Sequence, residues 1–180
     1  MPRYWFPKPY SDRVARLRVP GGFLLAGLFV WLAEPSGGSL AAGLPVSVAG
    51  LWLRGWAAGH LAKNQRLAAT GPYAYLRNPL YLGTLLAAAG LVIAARQWVL
   101  AVLLGAVFLL VYLPVIQEEE KHLRELFPEF EAYAARVPLL WPRAIRAPRG
   151  RFQWALYRRN EEYNAALGFL AAVAVLLWKL

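Results

Sequence analysis

Two charge-free stretches, Pro79 to Ala95 and Trp98 to Ile116, are separated only by Arg96-Gln97. Each is apolar enough to enter the ~30 Å hydrocarbon core of a bilayer as a helix. Two residues leave room only for a tight turn, so an antiparallel helical hairpin is expected, with both outer ends on one side. Composition agrees: 59% of the residues are hydrophobic and 17% charged, against roughly a quarter charged in an ordinary soluble domain. That balance excludes an ordinary soluble enzyme. The chain contains no cysteine, which excludes a disulfide framework, a thiol nucleophile and a thiolate metal site.

Three further apolar stretches extend the picture. Leu40 to Gly59 is a candidate span that carries Pro45 and Arg54, while Gly21 to Ala33 and about Asn164 to Trp178 are shorter and need flanking residues or local thinning to cross. A secretory leader ending after Ala33 is disfavoured, because Trp31 would stand where a small residue is wanted. The expectation is an all-α integral membrane helical bundle of about five transmembrane helices, forming one domain over residues 1–180. Basic residues orient it. Five lie in the N-terminal arm (Arg3, Lys8, Arg13, Arg16, Arg18), three in the 60–78 loop and nine in the 117–163 segment, against Arg96 and Lys179 on the other side. The positive-inside rule then makes those three segments cytoplasmic and the C-terminus external. The net charge of +10 follows from topology and attraction to anionic membrane lipids, with no call for nucleic acid.

At the cytoplasmic mouth of the hairpin stands GPYAYLRNPLYLG, residues 71–83. Gly71-Pro72 is a turn signal, Asn78-Pro79 disfavours helix at Asn78, and Pro79 suits a first helical position. Tyr73, Tyr75 and Tyr81 would suit an interfacial aromatic belt with Arg77 as anchor. The other end of the hairpin delivers QEEEKHLRELF, residues 117–127. Three carboxylates ending a helix would oppose its dipole, so the helix is expected to run on past Ile116. Leu123, Leu126, Phe127 and Phe130 then recur at spacings of three and four, the pattern of a cytoplasmic amphipathic helix. A short hairpin would bring Arg77, Asn78 and Tyr81 near Glu118 and Glu119. Taken alone, Glu118, Glu119 and Glu120 also read as a solvated turn with i,i+4 pairs.

GPYAYLRNPLYLG, the hairpin, EEE and then LFPEFEAYAARVP resemble, in order and spacing, the core of the membrane methyltransferases that include isoprenylcysteine carboxyl methyltransferases and phospholipid methyltransferases. The resemblance covers about residues 59–142. It implies S-adenosylmethionine as cofactor, bound at the cytoplasmic mouth under a C-terminal covering segment, and a lipophilic small-molecule or lipidated acceptor from the bilayer. It further implies cofactor contacts for Tyr73, Arg77, Asn78, Tyr81, Glu118 and Glu119, with Tyr133 and Arg136 in the covering segment, and catalytic roles for Arg77 and Glu119. Arg77-Asn78-Pro79 departs from the family's usual Arg-His-Pro, and an asparagine cannot exchange a proton.

The chemistry stands beside the resemblance. A sulfonium, an ammonium and a carboxylate in one molecule want acidic groups, a basic group and aromatic faces together. A carboxylate acceptor needs no base, whereas an ammonium acceptor must lose a proton, with Glu119 or Glu120 as candidate. His60 and His122 show no ligand spacing, so no metal is expected. Arg54, about 8 Å inside its span, reads either as a snorkelling cation or as a functional charge paired with a mouth glutamate or an anionic head. The LGTLLAAAG run reads as close helix packing. Two other functions remain open at this point: a sterol-type reductase using a nicotinamide dinucleotide, for which no dinucleotide fingerprint is present, and a non-catalytic lipid-binding protein. Oligomeric state is not legible.

Overall fold

The computed structural model describes residues 5–143 and 150–180, the side chain of Arg18 excepted. Of the basic residues counted above, Arg3, Arg146 and Arg149 lie outside the described residues. Among those described, every regular element is a helix. They are α1 (Lys8–Leu32), α2 (Gly37–Ala58), a short 3-10 helix (Gly71–Ala74), α3 (Pro79–Ala95), α4 (Trp98–Val107), a π-helical turn (Phe108–Tyr112), α5 (Leu113–Leu126), α6 (Phe130–Ala134), α7 (Trp154–Arg159) and α8 (Tyr163–Trp178).

The two helices expected of the hairpin are present, joined by Arg96-Gln97. Pro79 opens α3, and Arg96 turns the chain with a φ of +55° before α4. From Trp98 the helix continues through the π turn to Leu126, so it does run past Ile116. These 29 residues are long and apolar enough to cross a membrane. The halves Lys8–Leu17 and Val19–Leu32, bent by 50°, pass the same test together, whereas Pro79–Ala95 and Tyr163–Trp178 are apolar but shorter. Among the described residues, one or two helices thus meet the criterion of length and apolarity, and the count of five stays an expectation.

Two boundaries differ from the sequence reading. The first span was placed at Gly21–Ala33, yet α1 begins at Lys8 and takes in part of the basic arm, with Pro20 inside it. Charged residues do not prevent helix outside the hydrocarbon, which the hydropathy criterion cannot register. The proposed amphipathic helix through Phe130 is interrupted: α5 ends at Leu126, Phe127 precedes Pro128, and Phe130 opens α6. Proline disfavours the helical conformation in the residue before it. Leu126, counted on the apolar face, is 40% exposed.

The chain divides into two compact units, each assembled from separated segments. The first comprises Met1–Ser47, Ala88–Lys121 and Ala171–Leu180. Its core is Ala33, Leu40, Ala94, Ala95, Leu100 and Leu176. A Cβ on Gly43 would collide with the backbone at Gly90 and Ala94, so these helices meet backbone to backbone. The second comprises Val48–Ala87 and His122–Leu170, with a core of Phe127, Phe130, Tyr133 and Val137.

Candidate functional site

The turn ahead of α3 is built from local rules. Gly71 has a φ of +60°, and a Cβ there would come within 2.6 Å of the His60 ring, so both backbone conformation and space demand glycine. Pro72 follows at the start of the 3-10 helix, and its carbonyl accepts from the amides of Tyr75 (3.0 Å) and Leu76 (3.2 Å). The Asn78 carbonyl accepts the Leu82 amide at 3.1 Å, which places Asn78 just ahead of the first turn of α3. Pro72, Tyr73, Ala74, Asn78 and Pro79 are all buried. A buried ring at Tyr73 does not fit the lipid-facing aromatic belt considered from sequence.

Against this turn lies the segment after α5. Phe127, Phe130, Tyr133 and Val137 bury their side chains with Leu67, Ala69 and Leu123. Five polar contacts then join the two segments. The Tyr133 hydroxyl donates to the Tyr73 carbonyl at 2.7 Å, and Arg77 Nη1 to the Ala134 carbonyl at 2.9 Å. The Arg77 amide donates to the Pro138 carbonyl at 2.8 Å, Asn78 Nδ2 to the Leu139 carbonyl at 3.4 Å, and the Arg143 amide to the Tyr75 carbonyl at 3.1 Å. At about 0.5–1.5 kcal/mol net for an ordinary hydrogen bond, the set is substantial and directional. Residues 133–143 therefore cover residues 73–78. Arg136 is exposed and donates through Nε to the Ala132 carbonyl of its own turn (3.1 Å), while Tyr81 is half-buried on α3.

The carboxylates differ sharply from one another. On α5, Glu118 is half-buried, Glu119 exposed and Glu120 buried at 8% exposure. In the first unit Glu118 lines a cavity of about 370 Å³ with Trp5, Phe6, Lys8, Gln117 and Lys121. Gln117 clamps the N-terminal segment: its Oε1 accepts from the amides of Trp5 (2.6 Å) and Phe6 (3.0 Å), and its Nε2 donates to the Phe6 carbonyl (2.8 Å). No sequence signal linked residues 5–8 to Glu118. The second unit holds Tyr73, Arg77, Asn78, Tyr81, Tyr133 and Arg136, and the first holds Glu118 and Glu119.

Sequence reasoning left open the surroundings of two polar positions it had named, half-buried Arg54 and buried His60. Arg54 has a partner within its own unit that the sequence did not suggest. Its guanidinium binds Glu162 through Nε (2.5 Å) and Nη2 (2.9 Å), and Glu162 is 6% exposed. His60, 4% exposed, sits 3.2 Å from Thr70 Oγ1 between the edges of Trp56 and Phe152. Burial, and secondarily the charge of Arg66, hold its pKa below the ordinary histidine value.

The chain is 34% identical over 120 residues to the cobalt-zinc-cadmium resistance protein CzcN of Cupriavidus metallidurans, covering 67% of this chain and 54% of that one. It is 37% identical over 97 residues to the nickel-cobalt-cadmium resistance protein NccN of Alcaligenes xylosoxydans xylosoxydans, covering 54% and 45%. The chain spans about half the length of these curated relatives. No solved structure matches it. The model of one family, described as phospholipid methyltransferase, matches residues 39–129, from α2 through the Gly71 turn and the hairpin to the residue before α6. With just over half of its length matched, and the turn, the hairpin and the three glutamates all inside the match, the chain belongs to the phospholipid methyltransferase family.

Proposed function

We propose that the protein transfers a methyl group from S-adenosylmethionine to a lipophilic acceptor drawn from the bilayer; the proposed cofactor contacts are the 71–81 turn with its 130–143 covering segment in the second unit and, separately, Glu118 and Glu119 in the first. The observation that carries this reading is the five-fold pinning of the covering segment on the turn, within a chain of methyltransferase family. In this reading the helices form a bundle of about five spans, with the N-terminal arm, the 60–78 loop and the 117–163 segment cytoplasmic, as their basic residues argue.

The residues suit the cofactor chemically. Carboxylates at Glu118 and Glu119 complement an ammonium or ribose hydroxyls, the amide of Asn78 both donates and accepts, and Tyr73, Tyr81 and Tyr133 bring aromatic surface. When bound, S-adenosylmethionine supplies a methyl group on a positively charged sulfur, open to in-line displacement by an acceptor lone pair. The chain's part is to align the reactants and exclude water. Arg77 contributes by holding the covering segment at the Ala134 and Pro138 carbonyls. Glu119, exposed on α5, is the carboxylate we assign to accept a proton from an ammonium acceptor.

Calorimetric titration of S-adenosylhomocysteine into the detergent-purified protein tests this. Glu118→Gln or Glu119→Gln is expected to weaken binding by roughly 10- to 150-fold, the equivalent of a lost charge-assisted hydrogen bond. Glu125→Gln, at an exposed position of the same helix, is expected to bind like the wild type. Absence of binding to the wild type, or wild-type affinity in both of the first two variants, overturns the proposal.

A further inference from the structure

Arg54 is the charge that its span could least afford unless something held it, and its surroundings within the second unit are complete. Glu162 takes Nε and Nη2, and Nη1 reaches the hydroxyl of Thr84 and the carbonyl of Leu80 (3.4 Å). Thr84 in turn donates to the Leu80 carbonyl at 2.8 Å. Three helices meet in this one fork: α2 supplies Arg54, α3 supplies Leu80 and Thr84, and Glu162 stands immediately before α8.

The space for the fork is made by glycine. A Cβ on Gly83 would lie 2.6 Å from Arg54 Cγ and 2.7 Å from the Gly50 carbonyl, so only glycine lets the arginine stem cross α3 while α2 and α3 touch. Gly83 is also the last residue of GPYAYLRNPLYLG. A second tie reinforces the corner, where Asn160 Nδ2 donates to the Ala58 and Leu61 carbonyls, both at 3.0 Å. Glu161, with a φ of +52°, turns the chain between α7 and α8 and presents Glu162.

Leu80 and Thr84 belong to the first turns of α3, which also carry Tyr81 and follow directly on Asn78. We infer that Arg54 is a positioning residue for the methyl-transfer site: through Leu80 and Thr84 it fixes the start of α3 that carries Tyr81 and follows Asn78, and it couples that start to the corner before α8. The inference rests on the methyltransferase reading for its consequence in binding, and on geometry alone for its consequence in local order. What matters is the planar fork rather than the positive charge. A lysine would keep the charge and could meet Glu162, but a single ammonium cannot also serve Thr84 and Leu80 in the same geometry.

The test uses the full chain in detergent. Hydrogen exchange is followed by mass spectrometry in Arg54→Lys, and S-adenosylhomocysteine binding in Arg54→Lys, Thr84→Val and Thr84→Ser. Arg54→Lys is expected to speed exchange selectively in residues 78–85 and 160–165, and to weaken ligand binding about 10-fold, the scale of one hydrogen bond to a charged group. Thr84→Val, close in shape but lacking the hydroxyl, is expected to lose affinity in the same direction, and Thr84→Ser to restore it. Exchange that is unchanged, or uniformly faster along the whole chain, overturns the inference by reducing Arg54 to a spectator or a general stabiliser. If the wild type binds no S-adenosylhomocysteine, the proposed function fails, and the exchange pattern alone still decides for or against the positioning role.

Discussion

Both units bring α2 and α3 together at glycine, Gly43 in the first and Gly50 with Gly83 in the second, but they differ in the polar contacts added to that packing. In the first, helices approach through small residues: the core contains Ala33, Ala94 and Ala95, and Gly43 touches the backbone at Gly90 and Ala94. Beside the Gln117 clamp and the Tyr10 hydroxyl on the Leu110 carbonyl, its polar contacts include two sets at helix ends. Ser39 Oγ donates to the Ala94 carbonyl at 2.7 Å, and Lys179 Nζ donates to the Val30 and Trp31 carbonyls at the end of α1. In the second unit, side chains act as struts across the interior: Arg54 to Glu162, Tyr133 to Tyr73, Arg77 to Ala134 and Asn160 to Ala58. Small-residue packing brings backbones together without choosing a chemistry. Polar struts fix individual groups, and six of the eight residues expected at the site lie in the unit that uses them.

The comparison is broken most easily at Gly43. A methyl there meets main-chain atoms, which cannot swing aside, so Gly43→Ala is expected to force α2 and α3 apart in the first unit. Overpacking of this kind costs about 1–3 kcal/mol. Thermal unfolding in detergent should show the loss at every pH. A variant as stable as the wild type would mean that the helices have room the structure does not show.

Much of the helical architecture was legible because it depends on local signals. Asn78-Pro79 and Arg96 bracket α3 at the expected residues, and the charge-free run to Ile116 announced the next helix. The covering segment was legible as a segment. Its partners were not, since a hydroxyl bonded to a carbonyl 60 residues away leaves no periodic trace. Arg54 shows the limit most plainly. Its partner is 108 residues distant, immediately before α8, which starts at Tyr163 and which hydropathy alone announced from about Asn164. Among the glutamates the sequence could count neighbours but not burial, and Glu120 rather than Glu118 or Glu119 is the one turned inward.

Acid should separate the two units. His60 is held neutral by burial among Trp56, Phe152 and Thr70, with Arg66 disfavouring a second positive charge nearby. Its folded pKa is lowered, so between the folded and unfolded values the unfolded chain binds more protons. Stability is then full above the ordinary histidine value of about 6.5 and falls as pH drops below it. The slope from one such group is at most about 1.4 kcal/mol per pH unit. His60→Gln should flatten that acid limb, and Gly43→Ala should leave it in place. An acid limb that survives His60→Gln would assign the sensitivity to other groups.

The smallest expected effect is the most specific to function. Tyr133→Phe removes one hydroxyl and keeps the ring that packs with Phe130 in the second core. The lost bond to the Tyr73 carbonyl is neutral and buried, so global stability should fall by about 1 kcal/mol. That is less than the change at Gly43, and it should not alter the acid limb. Locally the consequence is larger, because this contact is the first of the five that lay residues 133–143 over residues 73–78. Once it is gone the segment opens more often from its Phe130 end, and limited proteolysis within 130–143 should quicken while cleavage in the 34–39 loop stays the same. S-adenosylhomocysteine should slow cleavage of 130–143 in the wild type, since a ligand that binds the closed form draws the population toward it. If Tyr133→Phe is cut no faster than the wild type, the struts of the second unit are redundant, and the contrast with the small-residue packing of the first loses its functional meaning.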